Sequence, residues 1–131
     1  MLSPNKAPFR YSLGTRGETA AWSYLQKRGY RILDKNFRCK IGEIDVIAEK
    51  DGRIVFVEVK TRTSDRFGLP EESVHPRKQQ KLIRLAEWYL KEKKQIDAKA
   101  GFAVLAVDWK PGESPQIRFI ENAFAVDNQG L

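Results

Sequence analysis

Apolar and polar residues alternate along Glu43–Arg62 with the period of two that marks β-strands, and Asp51-Gly52 interrupts the pattern once. Both interrupting residues tolerate positive φ, which a tight type I′ reversal demands. Such a reversal fixes a register. Lys50 faces Arg53, Ala48 faces Val55 and Val46 faces Val57; continuing outward, Asp45 meets Glu58 and Glu43 meets Lys60. Side chains alternate faces along a strand. Ile54, Phe56, Glu58 and Lys60 are therefore expected on one face with Glu43, Asp45 and Ile47. Val55, Val57 and Val59 are expected on the other with Ile44, Val46 and Ala48. The second face is wholly apolar and calls for a helix to cover it. The first is apolar near the reversal and charged at its far end.

Elsewhere the apolar period lengthens to that of a helix. Thr15-Arg16-Gly17-Glu18 has the form of a capping box, with Thr15 as N-cap and Glu18 as the reciprocal acceptor. The helix it predicts runs to about Arg28, carries Ala21, Trp22 and Leu25 on one stripe, and stops at Gly29. Tyr30–Phe37 reads as a strand. Pro76 opens a second helix to about Lys94, with Leu82, Leu85, Ala86, Tyr89 and Leu90 on its apolar side. Arg77, Lys81, Arg84 and Lys91 line the opposite side, either as a solvated face or as a binding surface. Lys78 lies near the start of this helix, where a phosphate contact is more natural. Gly101–Trp109 and Ile117–Glu121 read as the last strands, with Lys110-Pro111-Gly112 opening the turn between them.

The order is helix, three strands, helix, two strands. It predicts an α/β domain with a central mixed five-stranded sheet flanked by helices. Residues 1–14 hold Pro4 and Pro8 and read as a flexible arm, leaving 15–131 as a single domain. The polar stretch from Thr61 to Gln79, broken at Gly68-Leu69-Pro70, reads as a loop beside the charged end of the hairpin and a candidate substrate-binding flap.

Composition narrows the chemistry. The 131 residues carry 24 Lys+Arg against 17 Asp+Glu, a formal net charge of +7, which favours phosphate-bearing partners, nucleic acid first. Cys39 is the single cysteine, so neither an intramolecular disulfide nor a cysteine-based zinc site can form, and a reducing, cytoplasmic setting is expected. No apolar leader and no run of membrane-spanning length is present. His75 is the single histidine, with nothing to bring it to Cys39, and no phosphate-cradling glycine motif appears.

The opposed carboxylates are the chemical focus. Residues directly across an antiparallel pair have Cβ atoms ~4.5–5.5 Å apart, where like charges repel. Asp45 and Glu58 would then share a proton or a cation. Mg²⁺ takes hard oxygen ligands, often one or two carboxylates with waters and substrate phosphate. Lys60 projects from the same face and could orient or deprotonate a water. A plainer arrangement competes with this one: Asp45 accepting hydrogen bonds from neighbouring backbone, and Glu58 paired with Lys60 or Arg62, as in many structural networks.

The segments "RGETAAWSYLQKRGYRIL", "GEIDVIAEKDGRIVFVEVKTR" and "PRKQQKLIRLAEWYL" resemble the YraN-like family of small bacterial proteins, assigned to the restriction-endonuclease-like fold. The motif positions are also similar to those of archaeal Holliday-junction resolvases. The resemblance implies a restriction-endonuclease-like core and a Mg²⁺- or Mn²⁺-dependent endonuclease acting on nucleic acid, DNA foremost, with branched DNA as a candidate substrate. On it, Asp45, Glu58 and the Val59 carbonyl hold the metal, Lys60 is the catalytic lysine, and Glu18 completes the metal shell. Ile44 stands where the motif's name has proline. Arg62, Lys78, Arg77 and Lys81 would neutralise flanking phosphates. A junction cutter would need two sites and so a homodimer. The alternatives are a non-catalytic nucleic-acid binder on the same fold and a protein-interaction module anchored by Trp88 or Trp109.

Overall fold

The computed structural model describes residues 13–63 and 75–122, with side chains from Arg16 onward. The elements run α1 (Leu13–Lys27), β1 (Arg31–Arg38), β2 (Glu43–Lys50), β3 (Arg53–Arg62), α2 (Pro76–Glu92), β4 (Lys99–Asp108) and β5 (Gln116–Glu121). The five strands lie side by side in sequence order. β1, β2 and β3 form an antiparallel meander, β3 and β4 are parallel, and β5 returns antiparallel to β4. A parallel neighbour needs a crossover, and α2 supplies it. The result is the mixed five-stranded sheet flanked by helices that the order of elements predicts.

β3 is the middle strand, and Ile54–Val57 are buried on both faces. Ile54 and Phe56 pack with Leu82, Leu85, Tyr89 and Leu90 of α2. Val55 and Val57 pack with Ala21 and Leu25 of α1. β4 repeats the division, with Phe102 and Val104 on the α2 side and Ala103, Leu105 and Val107 on the α1 side. Strands covered on both faces read as unbroken apolar runs, which "IVFV" and "GFAVLAV" are.

The reversal between β2 and β3 has φ of 53° at Asp51 and 77° at Gly52, and the register is the expected one as far as the ladder runs, with Lys50↔Arg53, Ala48↔Val55 and Val46↔Val57; it ends there, so the expected pairs Asp45↔Glu58 and Glu43↔Lys60 are not part of it. α1 stops as anticipated. Gly29 has φ 90°, its N–H donates to Gln26 O, and Tyr30 N–H donates to Leu25 O, the paired bonds of a glycine-terminated helix.

Two local expectations need correction. The chain is already helical at Leu13, so Thr15 lies inside the first turn and is not a cap. Glu18 is thereby released from the reciprocal role and bonds Asn36 of β1 instead. Ile44 does not share a face with Val46. It packs with Ile47 and Phe56 under α2, whereas Val46 lies under α1. Strict alternation fails because β1 and β2 both switch faces beside Asp45. The candidate flap is shorter than expected, because Thr61 and Arg62 extend β3 and residues 76–79 open α2; its middle, residues 64–74 with the glycine-proline breaker, and most of the N-terminal arm lie outside the described residues.

Candidate metal and phosphate site

The charged end of the hairpin begins where the β2–β3 ladder stops, after Val46↔Val57. One residue further along β2 and two along β3, the Val59 N–H donates to Asp45 Oδ2 at 2.8 Å. A side-chain oxygen here replaces the backbone acceptor of a regular ladder. The strands part around the carboxylate, and Asp45 is left half-buried between them.

That position is electrostatically costly. Burial pushes the Asp45 carboxyl up to about 6, and the charges of Glu58, Glu18 and Glu43 act in the same direction; the Val59 hydrogen bond opposes them. Glu58 is treated differently. Its Oε2 accepts from Lys78 Nζ at 2.5 Å and from Lys60 Nζ at 3.2 Å. Lys60 comes from the same strand, two residues on, and Lys78 from the first turns of α2. Burial alone would lower the Lys78 ammonium, but the bond to Glu58 and the nearby Asp45 charge hold it above the ordinary lysine range.

α1 brings the remaining acid. Gly17 is buried against β3, where a Cβ would fall 1.9 Å from Thr61 Oγ1, so only glycine lets the helix sit this low. Glu18, the next residue, is raised by burial and by Glu43, and lowered by its bond to Asn36. Glu43 is itself paired with Arg38 at 3.0 Å.

The structure thus gathers Glu18, Asp45, Glu58, Lys60 and Lys78 at one end of the hairpin. Val59 contributes its N–H to the same place. Arg62 is turned to β4, where its Nε meets Asp108 Oδ1 at 2.7 Å. Arg77 and Lys81 lie exposed along α2, outside this cluster. Trp88 is exposed and its indole N–H donates to Glu92 at 3.1 Å, while Trp109 packs on the α1-side core beneath the Arg16 guanidinium, 4.4 Å from the ring centre.

Two contributors escaped the sequence reading, and the partner of a third did. Gly17 is visible only as a glycine inside a helical pattern, Asn36 only as a polar break in a strand. Lys78 was singled out for phosphate, but its bond to Glu58 spans a long loop that no local pattern encodes.

The donor set suits one kind of cation. Among the described residues no group of three or more His, Cys, Asp or Glu could by itself hold a metal ion. What exists is a half-buried carboxylate crowded by like charge, a second carboxylate beside it and a strand carbonyl at Val59. Mg²⁺ is commonly held by such a partial set, with water and substrate phosphate filling the remainder, so these residues fit it.

Comparison with known proteins places the chain. Residues 17–110 match uncharacterised protein family UPF0102. A UPF0102 protein of Geobacter metallireducens is 46% identical over 113 residues, covering 86% of this chain and 92% of its own. One from Syntrophus aciditrophicus is 47% identical over 111 residues, covering 85% and 87%. The chain belongs to the UPF0102 family, the YraN-like group that its motifs resemble. Among solved structures, Pyrococcus furiosus SfsA in complex with Ca²⁺ aligns with a TM-score of 0.42 at 17% identity, over 82% of this chain and 63% of that one. Among the described residues no helix is long and apolar enough to cross a membrane.

Proposed function

We propose that this protein is a Mg²⁺- or Mn²⁺-dependent nucleic-acid phosphodiester hydrolase, endonuclease-like, acting on DNA, with branched DNA as a candidate substrate. The observation that carries the reading is the setting of Asp45. Its carboxyl is half-buried, is pushed up to about 6, and feels three other acids, while Lys60 and Lys78 converge on Glu58 beside it. Such concentration of opposed charge at an open strand end is characteristic of reaction centres.

Asp45, Glu58 and the Val59 carbonyl would hold the cation, with Glu18 completing the set. The bound cation would supply Lewis acidity toward phosphate and water. Lys60 would orient the attacking water and balance charge developing on the phosphate. Lys78 would pass from Glu58 to a phosphate oxygen, and Arg77 and Lys81 would neutralise phosphates further along the backbone. Arg62, already bonded to Asp108, would act from one side by fixing the end of β3. Action on a junction would require a homodimer, and DNA as substrate accords with a cytoplasmic protein.

Crystals soaked in Mn²⁺ provide the direct test, with anomalous density sought beside Asp45 and Glu58. Asp45→Ala and Lys60→Ala should each abolish metal-dependent cleavage and leave DNA binding in place. Cleavage that persists in both variants would refute the reading. A second reading has its own support: Glu58 is already neutralised by two ammonium groups, as in a non-catalytic binder. Salt-sensitive binding without cleavage under any divalent metal, across a panel that includes branched DNA, would favour it.

A further inference from the structure

β1 and β2 change faces at the same level. Lys35 lies on the α1 side, its ammonium 4.0 Å from the centre of the Trp22 ring. Phe37, two residues on, lies on the α2 side, edge-on to Tyr89 at 5.2 Å. Residues two apart on a regular strand share a face. The partner strand makes the same switch, with Val46 on the α1 side and Ile44 on the α2 side. The register pairs Lys35 with Val46 and Phe37 with Ile44. The residues between those pairs are Asn36 and Asp45.

Asn36 has φ 54°, a left-handed conformation that asparagine tolerates better than most residues. This backbone turn accounts for the switch in β1. Glycine would serve it equally well. The side chain does something glycine could not: it bonds Glu18 of α1.

We infer that Asn36 is a positioning residue of the site: its left-handed backbone rotates β1 so that its carboxamide holds the Glu18 carboxylate toward Asp45. The inference rests on the metal-site reading above. Asn36 touches neither substrate nor cation in this role. It acts through Glu18, as hydrogen-bond partners behind metal ligands commonly do.

The test is Mn²⁺ affinity by isothermal titration calorimetry at fixed pH and salt, paired with thermal unfolding. Four proteins are compared: the unaltered chain, Asn36→Gly, Glu18→Gln and the double variant. Asn36→Gly keeps the left-handed backbone, so it should unfold with the unaltered chain while binding Mn²⁺ ~10–100-fold more weakly. Glu18→Gln should weaken binding similarly, and the double variant should bind no worse than Glu18→Gln alone. Unchanged affinity in Asn36→Gly overturns the inference. So do losses that multiply in the double variant, because Asn36 would then act independently of Glu18. Asp45→Ala is the control that separates the two levels. If the unaltered chain binds no Mn²⁺, or Asp45→Ala binds it equally well, the metal-site reading itself fails and this inference falls with it.

Discussion

The Val59 N–H reaches Asp45 Oδ2 at 2.8 Å, so a carboxylate occupies the place of a backbone carbonyl at the point where β2 and β3 separate. The hydrogen bond keeps Asp45 in the gap although burial and neighbouring acids disfavour its charge.

A pH dependence of stability follows. The folded-state value of about 6 lies above the ordinary 3.8. Between those values the native state binds more protons than the unfolded chain, so stability falls as pH rises through this window. Asp45→Asn keeps an acceptor for Val59 without the charge. It should be more stable than the unaltered protein at pH 8, by about 1–3 kcal/mol after allowance for partial exposure, and the gap should close near pH 4. Urea unfolding of both proteins across this range checks it; a gap that widens toward low pH would contradict the assignment.

Lys78 is bonded to Glu58 Oε2, so on the proposed reading it would compete with a cation there. Replacing it with methionine should therefore tighten Mn²⁺ binding and weaken DNA binding, and should reduce the salt dependence of DNA binding by about one unit of slope. Titrations with metal alone and with DNA at several salt concentrations measure the two effects separately. A variant in which both affinities fall together would argue for a general loss of structure.

Gly17→Ala should be destabilising although alanine favours helix. A helix-interior glycine costs roughly 1 kcal/mol relative to alanine, but the added Cβ would lie 1.9 Å from Thr61 Oγ1 and 2.9 Å from its Cβ. Overpacking of this kind costs about 1–3 kcal/mol, so the net change should be negative. Adding Thr61→Ala removes the nearer contact and should recover part of the loss. Thermal denaturation of the single and double variants decides it.

The cationic residues should fall into two groups. Arg77 and Lys81 are exposed along α2, and alanine there should weaken DNA binding at low salt without altering stability. Arg62 is largely covered and bonded to Asp108. Arg62→Ala leaves that carboxylate without this partner and should lower the unfolding temperature as well. Fluorescence anisotropy and thermal melts on the same preparations separate the groups.

The hairpin was legible in sequence because its determinants are local: a reversal that accepts positive φ, and β-branched residues on both sides of it. The helix stop at Gly29 and the face of α2 were legible for the same reason. What escaped depends on partners distant in the chain. Ile44 was assigned to the wrong face because alternation assumes an unbroken strand, and β2 breaks at Asp45, level with Asn36 on the neighbouring strand. Glu18 was read as a cap because Thr15 and Glu18 have the right spacing, yet α1 is already helical at Leu13. Lys78 was recognised as near the site, but its pairing with Glu58 became visible only in three dimensions.

The strand that carries Glu58 and Lys60 is also the one sealed between both helices at Ile54–Val57. Its amides should be among the slowest in the chain to exchange with solvent. A reactive edge anchored in this way adapts little to what it meets, so on the proposed reading the distortion needed for a close fit falls on the nucleic acid. A duplex already bent or forked has less elastic work left to do than a straight one, and rigidity of the scaffold would then become preference among substrates without contact to a single base.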